Sequence, residues 1–233
     1  MESQPRKRYR RTKADIAEDI RKAAVDQILK NGFSSSLVTE IIKKAKIEPP
    51  VFYNRYKDLD EFFSEFVKSC DYWLIDIAHD AAKHDSTKEQ YTSLLKGLID
   101  SLRGKSIMLE LLRWEIAEVN DTTKRTATIR EMFTAPLTEN YRKLFAHTGV
   151  DFVALSAILI GGIYYLSLHR EVSTFCGIDV TTDEGSNRIS KAVEMLADIL
   201  FSYIEPRDSK EDIAQRMREK GLDENTINEC LNW

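Results

Sequence analysis

Residues 36–58 read SLVTEIIKKAKIEPPVFYNRYKD, and two short helical segments lie within them. In the first, Val38, Ile41, Ile42 and Ala45 recur at three- and four-residue spacing, which places them on one side of a helix. Ser36 or a neighbour supplies the oxygen that caps its start. Lys46, Ile47 and Glu48 form a turn. Pro49 and Pro50 then pre-set the backbone for a new helix, since a first-turn proline has no partnered N–H to lose. Val51, Phe52, Tyr53, Asn54, Arg55 and Tyr56 follow. Two short helices joined by a three- to four-residue turn have the geometry of a helix-turn-helix, whose second helix fits a major groove about 12 Å wide. A helical hairpin that never meets DNA has the same pattern, and the basic segment just upstream tips the reading towards DNA.

Outward from this stretch, helix starts are legible from capping chemistry: a side-chain oxygen accepts an orphan backbone N–H, and an acid or amide three residues on reciprocates. Thr12 with Asp15 opens a first helix running to Asn31, where Gly32 supplies a left-handed stop. Asp58 with Glu61 opens a long helix reaching about Lys83. Thr87 with Gln90 opens another, ended by Gly104, and Ser106 starts a short one. Asp121 begins a long helix that must kink near Pro136 before Gly149 ends it. Asp151 caps an apolar helix, and Thr181 with Glu184 opens one that stops at Pro206. Beyond it Ser209 and Asp212 cap a helix through Lys220, Gly221 turns the chain, and Ile227, Leu231 and Trp233 offer an apolar edge. The chain therefore reads as all-α. It divides into a basic arm (1–12), a three-helix helix-turn-helix domain (13–57), a larger helical bundle (58–205) and a helical extension (206–233).

Composition agrees: 9 glycines and 5 prolines punctuate 233 residues, of which 42% are hydrophobic, which excludes disorder and disfavours a many-stranded sheet. The net charge of -4 conceals an asymmetry, because residues 1–60 hold 14 Lys and Arg against 9 Asp and Glu, and the remainder 20 against 29. An arm carrying Arg6, Lys7, Arg8, Arg10, Arg11 and Lys13 suits a polyanion, since each neutralised phosphate releases condensed counterions; a solvated tail is the alternative. Cys70, Cys176 and Cys230 are odd in number and lack CxxC spacing, which argues for a reducing cytoplasm and against a disulfide framework. No apolar segment of a signal peptide follows the basic N-terminus. The run from Phe152 to Leu168 is uncharged but interrupted by Gly161 and Gly162. It falls short of the roughly 20 residues that span a bilayer, so a buried or dimer-facing helix is expected and no membrane partner.

The ordered set Ile20-x-x-Ala23-Ala24-x-x-x-Ile28-x-x-x-Gly32-Phe33, then Val38-x-x-Ile41-x-x-x-Ala45, then Phe52-Tyr53-x-x-Tyr56-x-Asp58-x-x-x-Phe62 resembles the N-terminal domain of regulators of the tetracycline-repressor (TetR) family. The resemblance covers about residues 14 to 66. It implies a DNA-binding transcriptional regulator, a repressor by the commonest pattern, that binds a palindromic double-stranded operator as a homodimer. By position it makes Ile20, Ala24, Ile28, Phe33, Val38, Ile41, Ala45, Phe52 and Phe62 the small domain's core. Ser36 matches a hydroxyl that caps the second helix and meets a phosphate, and Tyr53 a phosphate-contacting tyrosine. Pro50, Val51, Asn54 and Arg55 occupy the exposed face of the recognition helix, with Asn and Arg able to contact base edges or phosphates. The chain departs from the pattern at Lys46, where a glycine is usual, at Glu48, where a serine-like residue is usual, and at Leu59, where a lysine is expected. Glu48 brings a negative charge towards phosphate, for which Lys46 and Lys57 can compensate.

The resemblance also implies a small-molecule effector among the helices of the bundle. Tyr72, Trp73, Met108, Arg113, Trp114, Phe133, Tyr141 and Phe145 are the candidates, because aromatic walls with few polar anchors suit such cavities. Each is also an ordinary core residue. Arg113 and Glu115 beside Trp114 add charges that need a partner or a ligand if they face inward. Asp76, His79, Asp80 and His84 could share a helix face, but no second such pair exists to complete a metal site, so a solvated face is expected. With no Gly-rich phosphate loop, HExxH or nucleophile elbow, neither cofactor nor catalysis is expected. The dimer interface falls to the apolar helix with Gly161 and Gly162 and to the next, with Ile189, Val193, Leu196, Leu200 and Tyr203. The rival classes are a related fold that has lost DNA binding and serves as an interaction or ligand-binding protein, and a helical-bundle metal protein or enzyme.

Overall fold

A computed structural model describes residues 11–70, 73–104, 107–204 and 210–231. Among the described residues the regular structure is helical, apart from one isolated bridge between Phe175 and Ile178. The first helix, α1 (Lys13–Asn31), begins with the reciprocal cap of Thr12 and Asp15 and ends at Gly32, whose φ of 77° suits a residue without Cβ. Short α2 (Val38–Ala45) and α3 (Pro49–Tyr53) follow. Asp58 accepts from the N–H of Glu61 at 2.8 Å and Glu61 from that of Lys57 at 2.5 Å, which starts α4 (Leu59–Cys70). The helix expected to reach Lys83 resumes as α5 (Trp73–Ala81).

The bundle continues with α6 (Thr87–Arg103), α7 (Ile107–Ala117), α8 (Asp121–Leu144), α9 (Phe152–His169) and α10 (Asp183–Phe201). Three caps lie one residue from the expected place: Ser86 in place of Thr87, Asn120 in place of Asp121, and Thr182 in place of Thr181. Each pair offers two adjacent cap-competent side chains, which spacing alone does not separate. At the last, the Thr181 hydroxyl is already committed to Asp179 at 2.6 Å. The α8 helix runs on through Pro136 but stops at Leu144, short of Gly149, where Phe145 turns into the core. The extension forms α11 (Lys210–Glu219) and α12 (Glu224–Leu231), joined at Gly221 and capped at the second start by Asp223, with Ile227 buried. Pro206, Ser209 and Trp233 lie outside the described residues.

Two apolar cores organise the chain. The first joins Ile20, Ala24 and Ile28 of α1, Ile41 and Ala45 of α2, Phe52 of α3, and Phe62, Phe63 and Phe66 of α4 to Met108, Leu111 and Trp114 of α7. The second joins Tyr91, Leu95, Leu98 and Leu102 of α6 to Leu109 and Leu112 of α7, Tyr141, Phe145, Phe152, Ile163, and Val193, Ala197 and Leu200 of α10. Eight of the nine expected small-domain core residues are buried, and Val38 packs against them half-buried. The expected boundary after residue 57 does not coincide with a break in packing. Helix α4 and one side of α7 close the small domain's core, and the other side of α7 faces the bundle.

Candidate nucleic-acid interface

The apolar side of α2 and Phe52 of α3 are drawn onto α1 and α4, and this leaves the opposite side of the helix-turn-helix to solvent. On that side lie Thr39 of α2 and Tyr53 and Asn54 at the end of α3, all exposed, with Tyr53 about half so. Pro50 is exposed and Val51 half-buried. Lys13, Lys46 and Lys57 add exposed positive charge, whereas Lys44 is occupied by Asp26 at 2.7 Å. Thr39 was legible in the spacing, since it falls between the apolar positions of α2, but the helical pattern drew attention to the buried face instead.

Three expectations change here. Ser36 does not cap α2: the N-cap is Leu37, and the Ser36 hydroxyl donates to the carbonyl of Gly32 at 2.8 Å from a buried position. Arg55 is turned inward, donating to the Val51 carbonyl at 2.9 Å and reaching that of Lys13 at 3.5 Å, so its guanidinium fastens α3 to the start of α1. Arg11 leaves the arm as well. It donates to the carbonyls of Ala45 and Lys46 at 3.0 and 2.5 Å and pairs with Asp19 at 2.9 Å. Arg6, Lys7, Arg8 and Arg10 lie outside the described residues.

The turn itself holds Lys46 in the left-handed region, at φ 52° and ψ 49°, the conformation that explains why glycine would be favoured there. Glu48 is the exposed N-cap of α3 and makes no side-chain cap bond. Because Pro49 and Pro50 fill the first turn, α3 has fewer free N–H groups to offer an anion than most helix starts. An anion approaching this end would therefore meet side chains more than backbone N–H groups.

The effector candidates do not surround one chamber. Met108 and Trp114 belong to the first core, Tyr141 and Phe145 to the second, and Phe133 is more than half exposed on α8. Arg113 pairs with Glu110 and with Glu171 at 3.6 Å, so its partners are protein carboxylates. Glu115 is held by Arg130 and by the Thr126 hydroxyl at 2.6 Å, where α7 meets α8. The resemblance and their aromatic character linked these residues, and α7 divides them because its two sides serve different cores. Trp73 alone packs against both cores, with its indole Nε1 buried and without a protein partner; Tyr72 lies outside the described residues. A cleft between α6, α9 and α10, lined by Ile99, Arg103, Ile163 and Ser186, has about 20 Å³ of space, enough for a water. Of the metal candidates, Asp80 is engaged by Lys83 at 2.6 Å, a bond that lowers its pKa.

On the far side of the bundle, α9 has two of its residues buried, Phe152 and Ile163. Leu155, Ile158, Gly162 and Tyr165 recur along its exposed side at three- and four-residue spacing, and Met195, Ile199 and Tyr203 do so along and just past α10. A Cβ added at Gly161 or Gly162 would meet open space. Val193 and Leu200, expected at an interface, instead face the chain's own core. At 18 residues and a mean hydropathy of 1.7, α9 is long and apolar enough to cross a membrane by length and composition, which corrects the expectation that it falls short.

No family model matches the sequence, and no curated protein does. Among solved structures, the chain is similar to a TetR-family transcriptional regulator of Streptomyces coelicolor, with 15% identity and a TM-score of 0.61 over 80% of this chain and 90% of that one. A TetR-like transcriptional regulator of Rhodococcus sp. RHA1 shares 21% identity with a TM-score of 0.58, over 81% of this chain and 96% of its own. A third structure, from Pseudomonas aeruginosa PAO1, shares 17% identity at a TM-score of 0.54, over 80% and 90%. The chain has the fold of TetR-family transcriptional regulators, an N-terminal helix-turn-helix joined to a helical bundle.

Proposed function

We propose that this chain is a cytoplasmic transcriptional regulator that grips a palindromic DNA operator as a homodimer and releases it when a small molecule binds. The observation that carries the reading is the helix-turn-helix itself: Thr39, Tyr53 and Asn54 exposed on one side, flanked by Lys13, Lys46 and Lys57. Asn54 is the residue suited to a base edge, where a bidentate amide reads adenine, and Tyr53 and Lys57 to phosphates. Two such readers must stand about 34 to 36 Å apart to meet successive grooves, and the apolar stripes of α9 and α10 provide the surface on which two copies pair.

The effector acts at Trp73. Its unpartnered indole N–H lies at the seam between the two cores, so a ligand that accepts from it, and parts the helices to do so, changes how the reader sits on the bundle. Such a ligand weakens DNA binding to the extent that it prefers the arrangement DNA does not. A second reading, a fold that no longer binds DNA, draws support from Glu48 and the two prolines at the start of α3.

Selection of bound fragments from the source genome, followed by fluorescence anisotropy on the enriched sequence, separates the two. Asn54→Ala is expected to cost roughly 1 to 3 kcal/mol and to relax discrimination at one operator position, and Tyr53→Phe to weaken all sequences alike. No enrichment at low salt would establish the second reading.

A further inference from the structure

The turn between α2 and α3 is the joint that sets where the recognition helix points, and it is built on an unfavourable residue. Lys46 is left-handed at φ 52°, a conformation in which a side chain crowds the backbone and glycine does not. The last carbonyls of α2 also lack partners within their own helix, as at any helix C-terminus. Arg11 answers both conditions. Its guanidinium takes the carbonyl of Ala45 at 3.0 Å and that of Lys46 at 2.5 Å, while Asp19 of α1 holds the same group at 2.9 Å. One planar fork thus joins the start of α1, the end of α2 and the left-handed residue. Its positive charge also lies where a helix C-terminus favours it.

We propose that Arg11 is a positioning residue of the DNA reader: it acts through the turn and not on DNA, and holds Lys46 in a conformation the chain would otherwise leave. With three protein acceptors around it, Arg11 is not a counter-charge for phosphate, although its place in a run of basic residues suggests one. The relation between Arg11 and Lys46 stands on geometry, whereas its consequence for operator binding rests on the DNA-reading function proposed above.

The test uses the full chain with Arg11→Ala, Arg11→Lys, Lys46→Gly and the Arg11→Ala/Lys46→Gly pair. Affinity for the selected operator and for random DNA is measured at several salt concentrations well below each melting temperature, and thermal melting is recorded alongside. Arg11→Ala is expected to lower operator affinity about tenfold, in keeping with the loss of hydrogen bonds from a charged donor. Random-DNA affinity and the salt slope stay as in the parent, whereas a lost phosphate contact would flatten the slope by about 0.9. Arg11→Lys does not restore the loss, because an ammonium cannot reproduce the fork. Adding Lys46→Gly to Arg11→Ala recovers the melting temperature, since glycine holds the turn unaided, while Lys46→Gly alone gives the separate cost to DNA affinity of losing the Lys46 charge. A flattened slope with equal losses on operator and random DNA on Arg11→Ala would overturn the proposal, as would failure of Lys46→Gly to recover the melting temperature lost in Arg11→Ala. If the parent chain binds no DNA, the DNA-reading function fails by itself, and the melting temperatures of the single and double variants still decide the coupling of Arg11 to Lys46.

Discussion

Trp114 of α7 lies flat against Phe33, the residue just after the stop of α1, with ring centroids 4.7 Å apart and planes 4° from parallel. Phe63 meets the same indole edge-on at 5.8 Å, and the indole N–H donates to Glu118 at 2.8 Å. The core of the helix-turn-helix is therefore completed by a helix from the bundle.

A fragment of residues 11–70 is expected to remain largely unfolded by circular dichroism, because it lacks Met108, Leu111 and Trp114. In the full chain Trp114→Ala should cost about 3 to 5 kcal/mol in denaturant unfolding. A cooperative melt of the fragment would contradict the shared core.

The Glu115–Arg130 pair between α7 and α8 is nearly as buried as the core, with side chains 11% and 10% exposed. Removing one partner leaves the other's charge in a largely buried place without its nearest counter-charge. Glu115→Leu or Arg130→Met alone should destabilise by about 3 to 5 kcal/mol, and the double replacement should return most of that loss. A double-variant loss equal to the sum of the two single losses, read from urea midpoints, would mean that the pair does not interact.

On the opposite face, Ile158 is 70% exposed in the single chain and Ile199 is 49% exposed. Ile158→Glu and Ile199→Glu together should yield a monomer by sedimentation at micromolar concentration, with operator binding greatly weakened. A dimer that survives both charges would place the interface elsewhere.

Alkaline pH should find the second core. Burial raises the pKa of both Tyr91 and Tyr141, and for Tyr141 the neighbouring Tyr91 adds to the rise. In the unfolded chain these phenols ionise near pH 10, so above that pH the unfolded state loses protons that the folded state keeps. Stability is thus intact below about pH 10 and falls as pH rises further. Tyr141→Phe should flatten the decline in denaturant midpoints between about pH 9 and 11; an unchanged slope would remove Tyr141 from the explanation.

Glu48 caps α3 with its side chain uncommitted among the described bonds and exposed. Glu48→Ser should tighten DNA binding at every salt concentration, most at low salt, by removing repulsion. Unchanged affinity would mean that this end of α3 stands off the phosphates.

The sequence disclosed the small domain well, because short amphipathic helices with strong caps leave little choice: Thr12 and Asp15, Asp58 and Glu61, and the buried series from Ile20 to Phe62 all stand where spacing put them. It was less informative where a side chain's partner is distant in the chain. Ser36 and Arg55 have polar groups suited to DNA, but each finds a backbone carbonyl that only the folded loop presents. Arg11 read as one more arm charge because the carbonyls it meets are 34 and 35 residues away. The effector candidates are divided between the two cores for a related reason, since a helix with two buried sides, such as α7, contributes to two interiors and the sequence does not say which residue joins which.

In the homodimer proposed above, the exposed apolar side of α9 would tie this protein's integrity to its own abundance. If two copies must meet to cover that stripe, folding and association form one equilibrium, and the melting temperature rises with protein concentration by mass action. A newly made chain that has yet to meet a second copy presents an 18-residue apolar helix to its surroundings. Any other apolar surface would compete with the partner of that proposed homodimer for the same side chains, and the supply of assembled protein would depend on how quickly chains encounter one another as well as on how many are made.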